Sequence, residues 1–535
     1  MSQGVFLLLA ALGFTIFGTE ASKNMLYRAF QRVLRAPISF FDTTPLGRIM
    51  NRFSKDIDVM DNNLTESLRS AATTVSMLIS IIILTIAYYY YFAVALVPLC
   101  IFYFVSAAYY RSSALEIKRH ESVFRSAVYS QFNEAIVGTS TIRAYGMQKT
   151  FSKTITDAID NMDSAYYLTF ANQRWLGVRL DIIGVVFLLV TGMLVVTNQF
   201  SVSPSISGLV LSYLVSITQT LLLAVRQVAD AQNNMNAVER VHYYTTSVEE
   251  EAPAETIGFN LPASWPEHGH ITFRDVQMRY REGLPMVLHS LSIDVLAGER
   301  LGIVGRTGAG KSSIMVALFR MVELASGSIV IDDVDISSIG LKDLRSHLSI
   351  IPQDPTLFRG TVRTNLDPFG QHSDLDLWAS LRRAHLISDG EAVAVVDQDV
   401  NEGRNGKITL ETIVEADGAN FSLGQRQLMG LARALVRDSR IIVCDEATSS
   451  IDFESDLKVQ KTMIQEFKGR TVLCIAHRLK TIIGYDRVCV IDNGCVAELG
   501  PPLELFDGGG KFRAMCDQSL ITREEIELAD KERVV

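Results

Sequence analysis

The chain has 535 residues, too many for one ordinary domain, so at least two domains are expected. Only 20% of the residues are charged and the mean hydropathy is +0.20, which is unusual for a protein that is soluble throughout. The net charge of -9 comes without a basic stripe, which excludes nucleic acid as an expected partner.

Long apolar runs recur before about residue 230, whereas the sequence after about residue 269 is typical of a globular domain. A bilayer span needs about 20 mostly apolar residues. Runs such as 80–84 and 185–190 are apolar on every face, which a surface helix is not. We therefore predict an α-helical transmembrane bundle over residues 1–242, with about five spans at approximately 4–26, 70–91, 92–111, 175–197 and 208–229.

The distribution of Lys and Arg orients this bundle. The long stretches 21–69 and 111–174 are rich in both, whereas the short stretches 88–95 and 198–208 contain neither. Basic loops remain on the cytosolic side. We expect the N-terminus outside and the chain in the cytosol after the last span. The first segment also resembles a signal peptide, but no basic residue precedes it, so a span is favoured.

Three arginines lie near the inner ends of spans: Arg174, Arg179 and Arg226. They can be explained by interfacial snorkelling, with Arg179 also close in sequence to Asp181. They can equally form a positive rim for an anionic cargo. The sequence leaves both explanations open.

Acidic residues concentrate in a linker, 243–268, and in a charged tail, 521–535. Both are interpreted as solvated surface. The six cysteines form no C-x-x-C pair, and the five in the globular half are interpreted as reduced core thiols of a cytosolic domain.

Residues 305–312 fit the pattern G-x-x-x-x-G-K-[ST], between an apolar strand and a helical pattern. Such glycines let backbone N–H groups surround phosphate oxygens at a helix N-terminus. This predicts an α/β P-loop ATP-binding domain over residues 269–520, in which Lys311 reaches the outer phosphates and the Ser312 hydroxyl meets Mg²⁺. The nucleotide-binding residues predicted here are Gly305, Thr307, Gly308, Ala309, Gly310, Lys311, Ser312 and Ser313.

A second apolar strand, 440–444, ends in Asp445 and Glu446. An Asp at the end of a buried strand beside a P-loop is placed to hold Mg²⁺ through its water shell. The adjacent Glu446 can then polarise the attacking water as a general base. An acidic turn without function is the less favoured alternative.

Residues 421–427 precede a helical pattern, about twenty residues before the Asp-Glu strand. Here the sequence resembles the ATP-binding cassette proteins, whose signature has the form L-S-G-G-Q. Ser422 and Gly424 hold matching positions and Gln425 follows, whereas Phe421 and Leu423 depart from the form.

The resemblance implies further roles. Tyr280 matches the aromatic residue that stacks on adenine, and residues 450–452 match the loop that crosses to a partner cassette. Gln353 matches a glutamine that contacts Mg²⁺ and the membrane loops, and His477 matches the histidine on the terminal phosphate. The implied cofactors are ATP and Mg²⁺, the implied catalytic residues are Glu446, His477, Lys311 and Gln353, and the implied metal ligands are Ser312, Gln353 and Asp445.

The resemblance covers nearly the whole chain. It is strongest to the C-terminal half of the multidrug-resistance-associated (C) subfamily, and the sequence at residues 419–424 looks most like that of fungal members. Its marks are residues 40–48, 51–56, 174–180 and 365–369. Several conjugate exporters of that family carry a Trp three residues before the arginine of the last span. Leu223 stands here, which puts a preference for glutathione or glucuronide conjugates in doubt.

The implied function is ATP-driven export of small organic or amphipathic compounds by alternating access, in a plasma or vacuolar membrane with a cytosolic cassette. The cytosolic stretches 37–52 and 129–145 look like the elements that couple to cassettes. The alternative is an ATP-gated channel or a channel-regulatory subunit of the same subfamily. An Asp445-Glu446 pair with His477 fits repeated hydrolysis, which favours the transporter.

One P-loop and one signature occur in the sequence, whereas each ATP site of the family needs both, from opposite cassettes. Five spans are predicted, whereas the family half-unit has six. We therefore expect that the chain cannot transport alone. A truncated product of a full-length exporter is favoured, and the alternatives are an inactive fragment, a half-unit that pairs with another chain, or a homodimer.

Overall fold

The structure is a computed structural model that describes residues 2–197, 200, 202–255, 261–262, 264–387, 408–445, 462–476 and 478–534. The chain divides into two compact units. Residues 1–35 and 44–248 form the first, which is helical, and residues 36–43 and 249–535 form the second, which is α/β. This order confirms the predicted fold class, an α-helical membrane bundle followed by an α/β P-loop domain.

The helices of the amino-terminal half are mostly longer than a membrane is thick. A pair of π-helical turns, Arg52–Asp56 and Val59–Leu64, continues α3 into α4. Pro204 occupies the first turn of α8, where a missing N–H costs nothing. The helices are α1 Ser2–Leu34, α2 Ile38–Thr43, α3 Leu46–Asn51, α4 Thr65–Tyr88, α5 Phe92–Val137, α6 Thr139–Ala144, α7 Gln148–Val196 and α8 Pro204–Thr246.

Within the described residues, four helical stretches are long and apolar enough to cross a membrane: Leu46–Tyr88, Phe92–Val137, Gln148–Val196 and Pro204–Thr246. They overlap the second to fifth predicted spans, and each continues well beyond its apolar part. The first predicted span, 4–26, falls on α1. The side chains of residues 2–4, 6 and 7 lie outside the described residues, so this span stays a prediction.

The bundle is held by close packing of helices and by buried charge. A Cβ placed on Gly184 of α7 would lie 2.1 Å from Cγ2 of Thr218 on α8, so these helices approach closely where glycine stands. Asp56, on the first π-helical turn, is 3% exposed. Its carboxylate accepts hydrogen bonds from Arg52 at 2.7 Å and from Arg240 at 2.5 and 3.0 Å. The charge is therefore buried but fully paired.

The carboxy-terminal unit contains two main sheets. One is antiparallel, with strand order β2-β1-β4-β5. The other has the order β12-β11-β3-β10-β9-β6 and is parallel except for β12. The strands are β1 Ile271–Met278, β2 Leu288–Val295, β3 Arg300–Gly305, β4 Ser326–Ile331, β5 Val334–Asp335, β6 Leu348–Ile351, β7 Gly360–Thr361, β8 Ile413–Val414, β9 Ile441–Asp445, β10 Thr471–Ile475, β11 Arg487–Asp492 and β12 Cys495–Gly500.

Helices cover the parallel sheet. Every residue of β9 and β10 is buried, as expected for parallel strands covered on both faces. The helices of this unit are α9 Lys311–Leu318, α10 Leu341–His347, α11 Val362–Leu366, α12 Asp374–Arg383, α13 Leu423–Arg437, α14 Pro502–Asp507, α15 Lys511–Gln518 and α16 Arg523–Val534.

The acidic linker is not simply solvated. Both oxygens of Glu251 accept hydrogen bonds from Arg345 at 2.8 Å. The carbonyls of Pro253 and Ala254 accept from the first two N–H groups of α10, at 3.1 and 3.0 Å. Part of the linker therefore caps a helix of the α/β unit, a contact that the acidic composition did not reveal.

Four of the five cysteines of the α/β unit are buried, as predicted, and all six cysteines of the chain are free. Cys495 is the exception, since it is exposed on β12. Burial raises the pKa of the Cys474 thiol to about 11 and that of the Cys489 thiol to about 12.

Candidate nucleotide-binding site

The carboxyl ends of four parallel strands meet at one edge of the six-stranded sheet. Ile475 is level with both Ile303 of β3 and Asp445 of β9, and Ile351 of β6 is level with Cys444. In open α/β sheets ligands bind at this edge. The topology therefore brings together the P-loop after β3, the carboxylate that ends β9, and the loop after β6 that carries Gln353.

The P-loop adopts a conformation that needs its glycines. Gly308 has a φ of +81° and Gly310 a φ of +100°, both in the left-handed region. Gly310 caps α9 and has no side chain to satisfy the first N–H groups of that helix. The N–H of Gly494 donates to the Ala309 carbonyl at 3.0 Å and fixes the loop. Uncapped N–H groups at a helix start fit the phosphates of ATP.

Lys311 is the cation of this loop. Its side chain is 5% exposed, and Nζ donates to the carbonyls of Gly305 at 2.9 Å and Arg306 at 3.2 Å. The loop thus holds the ammonium group of Lys311 against its own backbone. Positive charge and backbone N–H groups together suit a polyphosphate.

The two serines after Lys311 face different surroundings. Ser312 is exposed, which suits a hydroxyl that is predicted to meet Mg²⁺. Ser313 is 4% exposed, and its Oγ lies 2.9 Å from the hydroxyl of Tyr280. Ser313 was predicted to bind nucleotide, and in the structure it holds the predicted adenine-stacking residue. This pairing spans 33 residues and has no signal in the sequence.

Asp445 and Gln353 are the other predicted Mg²⁺ ligands. Asp445 is 8% exposed at the end of β9, and Gln353 is exposed. The side chain of Gln427 on α13 donates to the Gln353 carbonyl at 3.1 Å and connects this loop to the signature helix. The part of the chain that the structure describes holds no group of three His, Cys, Asp or Glu that could bind a metal ion.

The signature forms the start of α13. The Ser422 hydroxyl accepts from the Gln425 N–H at 3.2 Å, and the Gln425 side chain accepts from the Ser422 N–H at 2.9 Å. This reciprocal pair is a capping box. Phe421 is 8% exposed and belongs to the core, which explains why a large apolar residue is tolerated there. Ser422 and Leu423 are exposed, and Gly424 is half-buried.

Three predicted elements lie outside the described residues: Glu446, residues 450–452 and His477. Each remains a prediction from the sequence. Glu446 directly follows Asp445, and His477 follows Ala476, which is 8% exposed after β10.

Two family models match the chain. The ABC transporter transmembrane region matches residues 1–221, and the ABC transporter domain matches residues 288–449. The ABC-type transporter cicA of Emericella nidulans is 63% identical over 512 residues, which are 95% of this chain and 37% of that protein. The oligomycin resistance ATP-dependent permease YOR1 of Saccharomyces cerevisiae is 44% identical over 530 residues, 98% of this chain and 36% of that protein.

ATP-binding cassette sub-family C member 3 of Rattus norvegicus is 42% identical over 516 residues, 96% of this chain and 33% of that protein. The chain thus spans about a third of the length of these curated relatives. A bacterial Atm1-family ABC exporter solved with ATP bound has a TM-score of 0.78 at 23% identity, over 95% of this chain and 86% of that one, which shows the fold. The chain belongs to the ATP-binding cassette transporters and matches the C-terminal half of a transporter of the multidrug-resistance-associated type.

Proposed function

We propose that this chain binds and hydrolyses ATP with Mg²⁺ and uses the cycle to export small organic or amphipathic compounds across a membrane. It acts as one half of an exporter with two cassettes. The observation that carries the proposal is the carboxyl edge of the six-stranded sheet, where the P-loop, Asp445 and the Gln353 loop meet.

Each residue at this edge has a task in hydrolysis. The P-loop N–H groups and Lys311 bind the phosphates. Ser312, Asp445 and Gln353 would hold Mg²⁺, which would neutralise negative charge on the phosphates. Glu446 accepts a proton as water attacks the terminal phosphorus and the bond to the bridging oxygen breaks. His477 contacts the transferred phosphate.

A second cassette completes the site. Ser422 and Leu423 at the start of α13 are exposed, so this end of the helix can meet a nucleotide held by another P-loop. One P-loop and one signature occur in this sequence, so a partner half must supply the complementary pair. Closure of the two cassettes around ATP would shift the membrane helices between inward and outward states.

A cavity in the helical unit supports an amphipathic cargo. Its volume is about 450 Å³, and apolar groups such as Phe14 and Leu223 line it beside hydroxyl and amide groups such as Thr73 and Gln227. Arg69 also lines it, but its guanidinium is bonded to the carboxylate of Glu66 at 3.0 and 2.7 Å. A wall with paired charge suits compounds that are partly apolar and partly polar.

For two of the arginines near the inner ends of the spans, Arg179 and Arg226, the structural and the anion-binding explanations can be weighed separately. The Arg179 guanidinium lies 3.6 Å from the centre of the Trp175 ring and donates to the Trp175 carbonyl at 3.2 Å. This favours a structural role for Arg179. An anion-binding role remains proposed for Arg226. Arg226→Ala should reduce export of anionic compounds more than of neutral ones in vesicle uptake, and an equal loss in both classes would contradict it.

The test of the whole proposal is reconstitution. The 535-residue chain is purified and placed in lipid vesicles with and without a companion half from a related exporter. We expect ATP binding in both preparations, and cargo-stimulated hydrolysis with ATP-dependent uptake only in the paired one. Absence of ATP binding would contradict the nucleotide site. Cargo-stimulated uptake by this chain alone would contradict the need for a partner.

The orientation can be tested separately. Cys100 and Cys495 are first replaced, because neither is buried. A cysteine introduced at Ser203 should react with an impermeant thiol reagent on intact cells, and one at Thr139 should react only after the membrane is opened. The reverse pattern would place the cassette outside the cytosol, where it could not be supplied with ATP.

A further inference from the structure

The C-terminal helix α16 packs against the segment that follows the predicted catalytic histidine. We name residues 478–486, which connect β10 to β11, the post-histidine segment. Residues 521–535 were interpreted as a solvated charged tail, but Ile521 is 3% exposed and Ile526 is 0% exposed. The tail is therefore a packed part of the cassette.

Polar contacts from α16 occur at both ends of the post-histidine segment. Near its beginning, the Lys480 ammonium donates to Oε1 of Glu525 at 3.2 Å. At its end, the guanidinium of Arg533 donates to the Asp486 carbonyl at 3.3 Å. Between them, a Cβ placed on Gly484 would lie 3.7 Å from the Cβ of Ala529. Hydrogen bonds at two points therefore fix the path of the segment along the helix, and glycine at 484 leaves room for Ala529 between them.

The tail and the post-histidine segment also contribute to one apolar core. Ile521 and Ile526 share a core cluster with Leu479 and Ile482 of the post-histidine segment. Leu479 is 6% exposed and Ile482 is 0% exposed. Because core side chains are close-packed, a loss of volume at Ile526 transmits to its neighbours.

The other side of the segment packs on the strand that leads to the P-loop. A Cβ on Gly302 of β3 would lie 2.9 Å from the Cβ of Ile482, so Ile482 occupies the space above that glycine. Oδ2 of Asp486 accepts from the Arg300 N–H, also on β3, at 2.8 Å. The post-histidine segment is thus enclosed between β3 and α16.

The position of α16 is itself fixed. Arg523 donates to both oxygens of Asp507 on α14, at 2.8 and 2.9 Å. The Thr522 N–H donates to Oε2 of Glu525 at 2.9 Å, and the Thr522 hydroxyl accepts from the Glu525 N–H at 3.3 Å. Glu525 therefore joins the cap of its own helix to Lys480.

We propose that α16 is a positioning element for ATP hydrolysis: it fixes the post-histidine segment, which follows the predicted catalytic histidine directly in the sequence. This inference rests on the proposed function, in which His477 contacts the terminal phosphate. None of the α16 contacts described above involves a P-loop residue. Loosening α16 should therefore lower kcat while the affinity for ATP stays unchanged.

The experiment compares matched substitutions in the full chain, paired with its companion half. Ile526→Ala removes buried volume, and Leu528→Ala makes the same change two residues later at a side chain that is 61% exposed. Glu525→Gln removes the partner charge of Lys480, and Glu524→Gln makes the same change at an exposed residue. We measure kcat, KM, binding of a fluorescent ATP analogue, and hydrogen exchange of residues 478–486.

Ile526→Ala should lower kcat about tenfold, since misplacement of a catalytic group by 1 Å can cost about 10²-fold. Glu525→Gln should lower it about twofold, because the pair is exposed. Exchange of residues 478–486 should rise in both, with ATP binding unchanged, and Ile526→Val should restore activity. Equal kcat and equal exchange in Ile526→Ala and Leu528→Ala would overturn the inference. A parallel loss of ATP affinity would also overturn it, because it would indicate general destabilisation.

The proposed function is controlled separately. If the unsubstituted chain with its companion half fails to hydrolyse ATP, the proposed function fails. The exchange measurement needs no turnover, so a faster exchange in Ile526→Ala than in Leu528→Ala would still support the packing role of α16, and equal exchange would still contradict it.

Discussion

The P-loop and the signature would bind the same class of ligand, yet they are built differently. The P-loop is closed on itself: Lys311 is 5% exposed, and its ammonium is bonded to carbonyls of its own loop. The signature lies at the open start of α13, where Ser422 is exposed and bonds locally with Gln425 in the capping box described above. The P-loop is held in place by contacts within its own loop, whereas the signature is exposed at the surface of the cassette.

This difference separates two kinds of failure. A substitution in the P-loop should change how the single chain binds ATP. A substitution in the signature should leave that binding intact and change only what the paired cassettes do. The following predictions test this separation.

The largest effect is expected at Glu446, which follows the buried end of β9. Glu446→Gln should preserve ATP binding and lower hydrolysis by about 10²-fold or more, because a general base is lost. Phosphate release by the paired transporter measures this, with Glu415→Gln at an exposed position as the control. Near-normal turnover in Glu446→Gln would remove this residue from the role of base.

Lys311→Ala should weaken ATP binding by the single chain about 10- to 100-fold. A hydrogen bond to a charged group contributes about 1.5–3 kcal/mol, and about 1.4 kcal/mol corresponds to a tenfold change in affinity. Titration with a fluorescent ATP analogue measures the effect, and Lys468→Ala, at an exposed lysine, serves as the control. Unchanged affinity would show that the closed P-loop does not use its ammonium to hold phosphate.

The smallest effect on the single chain is expected at Ser422. Ser422→Ala removes the cap of α13 and should lower the free energy of unfolding of the cassette by about 1 kcal/mol, with ATP affinity unchanged. Ser422→Asn retains a capping side chain and should retain stability. In the paired transporter both variants should lower turnover, if the hydroxyl itself meets the nucleotide of the partner. Weaker ATP binding by the single chain with Ser422→Ala would contradict the separation of the two motifs.

Short sequence patterns predicted those features of the fold that depend on residues close together in the sequence. The P-loop is such a case, because its glycine spacing, the preceding strand and the following helix lie within about twenty residues of sequence. The apolar parts of the four helical stretches that are long enough to cross a membrane were predicted in the same way. Their lengths were not: α7 has 49 residues because its polar first half contains no helix-breaking residue, and hydropathy alone does not register such an extension.

Contacts between distant residues could not be predicted. Nothing in the composition of the linker identifies Arg345 as the partner of Glu251, and nothing around Ser313 points to Tyr280. In α16 the charged residues outnumber the apolar ones, so its pattern is typical of a solvated helix although Ile526 is completely buried. The burial of one apolar side chain among charged residues leaves no periodic pattern, so sequence periodicity does not detect it.

The burial of the cysteines has a consequence for oxidising conditions. Thiolates, not thiols, react with peroxides and alkylating agents. In the interior of the sheet, burial raises the pKa of Cys474 and Cys489 so far that both remain protonated at neutral pH. Cys495, which is exposed and donates its S–H to the His289 carbonyl at 3.3 Å, lies where a reagent arrives first. Electrophiles and oxidants should therefore modify the cassette at the edge strand β12 while the strands beneath the ATP site keep their thiols intact.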